Sequence, residues 1–76
     1  MTITSEQAKV ARRLLGWSQN SLGLKAGVSE TTVRRFEGRK QVPLAAHLAA
    51  IKKVLEGAGI EFTEVSVSFR NEKAGP

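Results

Sequence analysis

The sequence predicts a mainly α protein: four short helices followed by a short, β-like C-terminal tail. Three observations carry that reading. Apolar residues recur at helical spacing in four segments, each bounded by residues that start or stop helices. Between the second and third segments lies only Gly27–Val28, a turn tight enough to make two helices cross steeply. After the glycines at 57 and 59 the apolar residues switch to alternation, the pattern of a strand. The chain therefore divides into a helical domain at 1–59 and a tail at 60–76, whose last residues, NEKAGP, are expected to fray.

The elements follow in order. Thr4 and Gln7 fit a capping box, and Ala8, Ala11, Leu14 and Leu15 then recur on one side of a first helix that Gly16 ends. Ser18 is an N-cap for a second helix that turns Leu22 and Ala26 inward and stops at Gly27. Gly23 inside it costs about 1 kcal/mol relative to Ala, which close approach to another helix would offset. Trp17, between these helices, could stack on bases, but its place favours core packing or a lid on the turn. Leu24 is expected to point outward.

Ser29 caps a third helix within SETTVRRFEGRK, where only Val33 and Phe36 are apolar. On a helical wheel at about 100° per residue, Phe36 and Ser29 fall on the Val33 side. Thr31 and Arg35 face directly away, flanked by Thr32 and Arg34. The outer face is polar, hydrogen-bonding and cationic. Pro43 pushes Val42 toward an extended conformation and can open a fourth helix. Its stripe is Leu44, Leu48, Ile51 and Leu55. Ile60 and Phe62 then alternate, and Val65, Val67 and Phe69 alternate in the opposite phase. This fits one bulged strand or two short ones meeting near Thr63–Glu64. VSVSF has little of its own chain to pair with, so pairing across a dimer is expected, against the alternative of packing on its own helices.

Composition narrows the function. The chain has 76 residues, a single small domain, and no cysteine for disulfides or thiolate metal sites. No apolar run approaches the roughly 18 residues of a membrane span, and no signal-peptide pattern opens the sequence, so a cytoplasmic, soluble protein is expected. The net charge is +5, unevenly spread: residues 9–53 carry +8, the remainder being mildly acidic. A basic body points to a polyanion partner. His47 is the only histidine, and no nucleophile–base pair, paired carboxylates or phosphate-binding glycine loop is present. No enzyme activity, metal or cofactor is expected.

QNSLGLKAGVSETTVRRFEGRKQVP, from Gln19 to Pro43, resembles the Cro/C1-type helix-turn-helix family, also called the xenobiotic-response-element family. The pattern lies in Gln19, Leu22, Gly23, Gly27, Val28, Ser29, Val33, Phe36, Glu37, Gly38 and Pro43 together. RRLLGWSQ at 12–19 matches the end of the family's first helix. The resemblance covers about residues 5–57 and is closest to short bacterial regulators. It implies a four-helix, lambda-repressor-like domain. Two departures stand out: Gly23 replaces the usual Ala, and a β-like tail replaces the fifth helix that helps build the phage repressor dimer.

The resemblance assigns the third helix to the major groove, in agreement with the wheel. Ser29, Glu30, Thr31, Thr32, Arg34 and Arg35 are then the base-reading set. Arg suits guanine, Glu can accept from cytosine, and Thr can bond or pack on a thymine methyl. Ser29 has a competing role as N-cap, and Glu30 suits the helix dipole in any case. Gln19 is expected on a phosphate, with Arg39 and Lys40 as backbone clamps and Lys25 and Arg13 in support. Arg12 and Glu37 occupy the positions of the family's partly buried ion pair and are not assigned to DNA. The expected function is a sequence-specific duplex DNA-binding transcriptional regulator, nucleoid-associated, a repressor acting as a homodimer on an inverted repeat. Two rivals stand beside it. One is an antitoxin or adaptor whose main partner is another protein, a toxin or other regulator, carried by the tail and Leu24. The other is sequence-independent DNA coating.

Overall fold

The computed structural model describes residues 2–70. In chain order these form α1 (Ser5–Leu14), α2 (Gln19–Ala26), α3 (Glu30–Glu37), α4 (Ala45–Gly57), β1 (Ile60–Phe62) and β2 (Val67–Phe69). The expected fraying of NEKAGP lies outside the described residues.

Local chemistry sets the helix boundaries. The Thr4–Gln7 capping box is formed in both directions. The hydroxyls of Ser18 and Ser29 accept from the N–H groups of Ser21 and Thr32, satisfying first-turn donors that have no helical partner. Gly27 ends α2 in the left-handed region, at φ 74°. That leaves two residues before Glu30, and α2 and α3 pack as the crossed pair that the short turn requires. Gly23 is compensated by close approach to the turn and to the start of α3: a Cβ there would lie 2.8 Å from the Val28 carbonyl oxygen and 3.3 Å from the Glu30 backbone nitrogen.

The core gathers one or more residues from every helix and from β1: Ala8 and Ala11, Leu22, Val33 and Phe36, Ile51 and Leu55, and Ile60. Ile3, just ahead of the Thr4 cap, is also buried, in the position from which an apolar residue staples a helix start. α3 therefore needs only its narrow Val33–Phe36 stripe, because α1 and α2 both pack against it.

Several expectations are corrected. Leu14 is 42% exposed; the helix ends there and Leu15 is the one packed on the core. Leu44 is 70% exposed and does not open the α4 stripe. It is the N-cap residue, with extended ψ, so it lies off the helical wheel. Pro43 is buried beside it. Ser29 is exposed rather than core-facing for the same reason: as N-cap its backbone is extended and the wheel does not apply. Beyond the end of α3 the left-handed residue is Arg39, at φ 61°. Its N–H donates to the Phe36 carbonyl and that of Lys40 to the Arg35 carbonyl, a Schellman-like closure. Arg39 thus adopts a conformation that costs a side-chain-bearing residue free energy. Arg39→Gly is expected to stabilise the fold by about 0.5–1 kcal/mol, raising Tm by a few degrees in a thermal melt while weakening any binding that uses the guanidinium.

The tail is corrected as well: it does have a partner within its own chain. β1 and β2 form an antiparallel hairpin with Ile60 opposite Phe69 and Phe62 opposite Val67. The four intervening residues explain the change of phase, since opposed residues share a face and all four apolar side chains then lie on one side. Thr63 N–H donates to the Ser66 carbonyl across the turn, and Gln7 Nε2 donates to the Thr63 carbonyl at 2.6 Å, tying the hairpin to α1. β1 packs on α4 and β2 on α1. Val65 and Phe69 remain exposed.

Candidate nucleic-acid interface

Holding α3 by one stripe leaves its other faces to solvent. Glu30, Thr31, Arg34 and Arg35 are exposed and Thr32 is half-buried. Ser29 and Thr32 are occupied with each other: the Ser29 hydroxyl accepts from Thr32 N–H at 3.0 Å, and the two hydroxyls lie 2.9 Å apart. Ser29 therefore serves as the cap while remaining at the surface. Arg34 leans back along the helix toward the Thr31 hydroxyl, at 3.5 Å. Arg35 and Glu30 make no side-chain hydrogen bond or ion pair among the described residues. The surface offers cationic, acceptor and hydroxyl groups along one short helix, and none of them takes part in the core.

Beyond the helix, Arg39 and Lys40 are exposed and carry two adjacent positive charges on the Schellman-like turn. Arg13 is exposed on the last turn of α1. Lys25 is exposed and sits over the Trp17 ring, its ammonium 4.9 Å from the centroid, a cation–π contact the sequence did not disclose. Trp17 is half-buried against the core, as a lid on the α1–α2 turn rather than an open stacking platform. Leu24 projects outward.

Arg12 and Glu37 form the expected pair, with bidentate geometry. Arg12 Nε donates to Glu37 Oε2 at 2.8 Å and Nη2 to Oε1 at 2.9 Å. The side chains are 11% and 2% exposed. The hydrogen bond to Glu37 holds the guanidinium above its ordinary pKa; burial opposes this and the Glu37 charge reinforces it. Arg12 Nη1 also donates to the Trp17 carbonyl at 2.8 Å, which fixes the α1–α2 turn.

Gln19 departs most from expectation. Its side chain does not simply project into solvent: Nε2 donates to Glu37 Oε1 at 3.1 Å. One carboxylate at the end of α3 therefore holds α1 through Arg12 and the first residue of α2 through Gln19. Nothing in the sequence spacing signals this third bond, which depends on how α2 and α3 cross. Among the described residues no group of His, Asp and Glu side chains could hold a metal, and no helix is long and apolar enough to cross a membrane.

Two solved structures are similar to this one. The first is the nuclear magnetic resonance structure of the DNA-binding domain of the P22 C2 repressor. It has 28% identity and a TM-score of 0.65, over 74% of this chain and 75% of that one. The second is the P22 c2 repressor protein crystallised in complex with synthetic operator 9T. It has 27% identity and a TM-score of 0.67, over 74% of this chain and 85% of that one. No family model matches the sequence, and a comparison with curated proteins finds no match.

Proposed function

We propose that this chain, a Cro/C1-type helix-turn-helix protein, is a DNA-binding transcriptional regulator that reads duplex sequence with α3. The observation that carries the reading is the free outer face of α3, whose inner stripe is held by α1 and α2. Its similarity to a repressor domain solved with operator DNA supports the partner class. Thr31 and Arg35 stand at the centre of the base-reading face, with Glu30 and Arg34 beside them. Ser29 and Thr32, already bonded to each other, set the start of the helix and contribute at its edge. Gln19, Arg39 and Lys40 hold phosphates, and Arg13 and Lys25 add to the field. These cations supply salt-dependent affinity, and α3 supplies choice of sequence.

In this reading the protein acts as a homodimer and represses by occupying a promoter. Two-fold symmetry requires an inverted repeat with half-sites about one helical turn, roughly 34 Å, apart. The exposed Val65 and Phe69 of the hairpin are the apolar positions the tail offers to a second copy. The test is selection from a random duplex library at about 150 mM salt. Enrichment of an inverted repeat is expected, and its spacing reports the dimer geometry. Binding without enrichment would replace this reading with DNA coating. Absence of binding would leave a protein partner as the leading reading.

A further inference from the structure

Glu37 takes three N–H donors on a carboxylate that is almost fully buried. Arg12 supplies two of them, and Gln19 Nε2 supplies the third, on the same oxygen that accepts Arg12 Nη2. An amide nitrogen carries two hydrogens in one plane. With one of them directed at Glu37, the plane of the Gln19 amide is fixed, and so is the direction of the other hydrogen. Gln19 is the first residue of α2 and only half-buried. A carboxylate near that point would repel an anion were it not neutralised by the bidentate Arg12 guanidinium. The result is a group that is neutral overall, with one N–H held in a set direction.

We propose that Glu37 is a positioning residue for DNA binding: it grips one hydrogen of the Gln19 amide and thereby presents the other to a backbone phosphate. This rests on the reading of the chain as a duplex DNA-binding domain. The Arg12–Glu37 pair then has a second role besides joining helices. A glutamine held in this way has already lost its rotamer freedom before DNA arrives, so that ordering cost does not fall on binding. Each member has a distinct part: Glu37 orients, Arg12 cancels the charge, and Gln19 touches the phosphate.

The test uses the selected duplex, prepared as a series in which one phosphate at a time is a neutral methylphosphonate. Affinity is measured at about 150 mM salt for the natural protein, Gln19→Ala, Glu37→Gln, Glu37→Asp and the Gln19→Ala/Glu37→Gln pair, with a thermal melt of each. Gln19→Ala is expected to weaken binding by about 5- to 20-fold and to abolish sensitivity to one methylphosphonate. Glu37→Gln offers a single acceptor oxygen; set against Arg12 Nε, it turns its own NH2 toward Gln19 Nε2, donor against donor, and Gln19 is released. It should lose sensitivity at that same phosphate, and the paired variant should bind no more weakly than either single one. Glu37→Asp keeps the charge for Arg12 but draws the carboxylate back by one methylene; it serves if Glu37→Gln does not fold. Single effects that multiply in the pair would overturn the inference. So would Glu37 variants that weaken binding evenly at every phosphate, the mark of a looser fold. If the natural protein binds but Gln19→Ala binds equally well, this inference fails while the functional reading stands. If the natural protein does not bind duplex DNA, both fail.

Discussion

Glu37→Ala is expected to lose most of the stability of the fold. Removing the carboxylate leaves the Arg12 guanidinium, 11% exposed, without its counter-charge, and the Gln19 amide without its acceptor. Stranding one partner of a buried pair costs about 3–5 kcal/mol, comparable with the whole stability of many small domains, about 5 kcal/mol at the low end. Each kcal/mol moves Tm by about 4–8 °C in a domain of this size, so the melt should shift down by more than about 12 °C. Circular dichroism on heating measures it, and an unchanged curve would show that the pair contributes nothing. The loss reflects the stranded charge more than the strength of the pair. An Arg12→Met/Glu37→Leu variant, which strands neither group, should therefore recover much of it.

Arg35→Ala should have the opposite profile: an intact fold and damaged recognition. Arg35 is exposed and without a side-chain partner among the described residues, so its removal should change stability by no more than about 0.5 kcal/mol. If it reads a base by two hydrogen bonds, affinity for the selected operator falls by about 10- to 100-fold, with discrimination lost at one base pair. Titration of the selected duplex against single-base variants measures both. A loss that is equal on every sequence would make Arg35 a phosphate contact. Lys40→Ala is the comparison, since it should weaken binding on all sequences alike and reduce the salt slope by about one.

Much of the fold was legible in the sequence because its boundaries are local. Thr4, Ser18 and Ser29 cap helices with their own side chains, and Gly27 permits the turn that crosses α2 over α3. The outer face of α3 was legible for a related reason, since a helix with two apolar residues has one way to face inward. What the sequence hid is what depends on packing. Leu44 continues the α4 stripe on paper, yet its extended backbone removes it from the wheel. The hairpin hid behind a phase change that only the turn length explains. The left-handed residue after α3 is Arg39, a conformation that its residue type does not signal. The Gln19–Glu37 bond joins residues 18 apart and could not be read from spacing.

The narrow contact of α3 with the rest of the molecule also bears on how such a protein changes over generations. Glu30, Thr31, Arg34 and Arg35 lie outside the core. Substitutions there are nearly silent for folding, each within about 0.5 kcal/mol. On the proposed reading, in which these side chains meet bases, selection can rewrite the recognition alphabet one letter at a time without first acquiring compensating changes in the scaffold. Val33, Phe36 and Glu37, interleaved with those letters on the same eight-residue helix, have no such freedom. A single helix carries an inherited, rigid half and a half open to drift, and a lineage of copies can diverge in target while keeping one architecture.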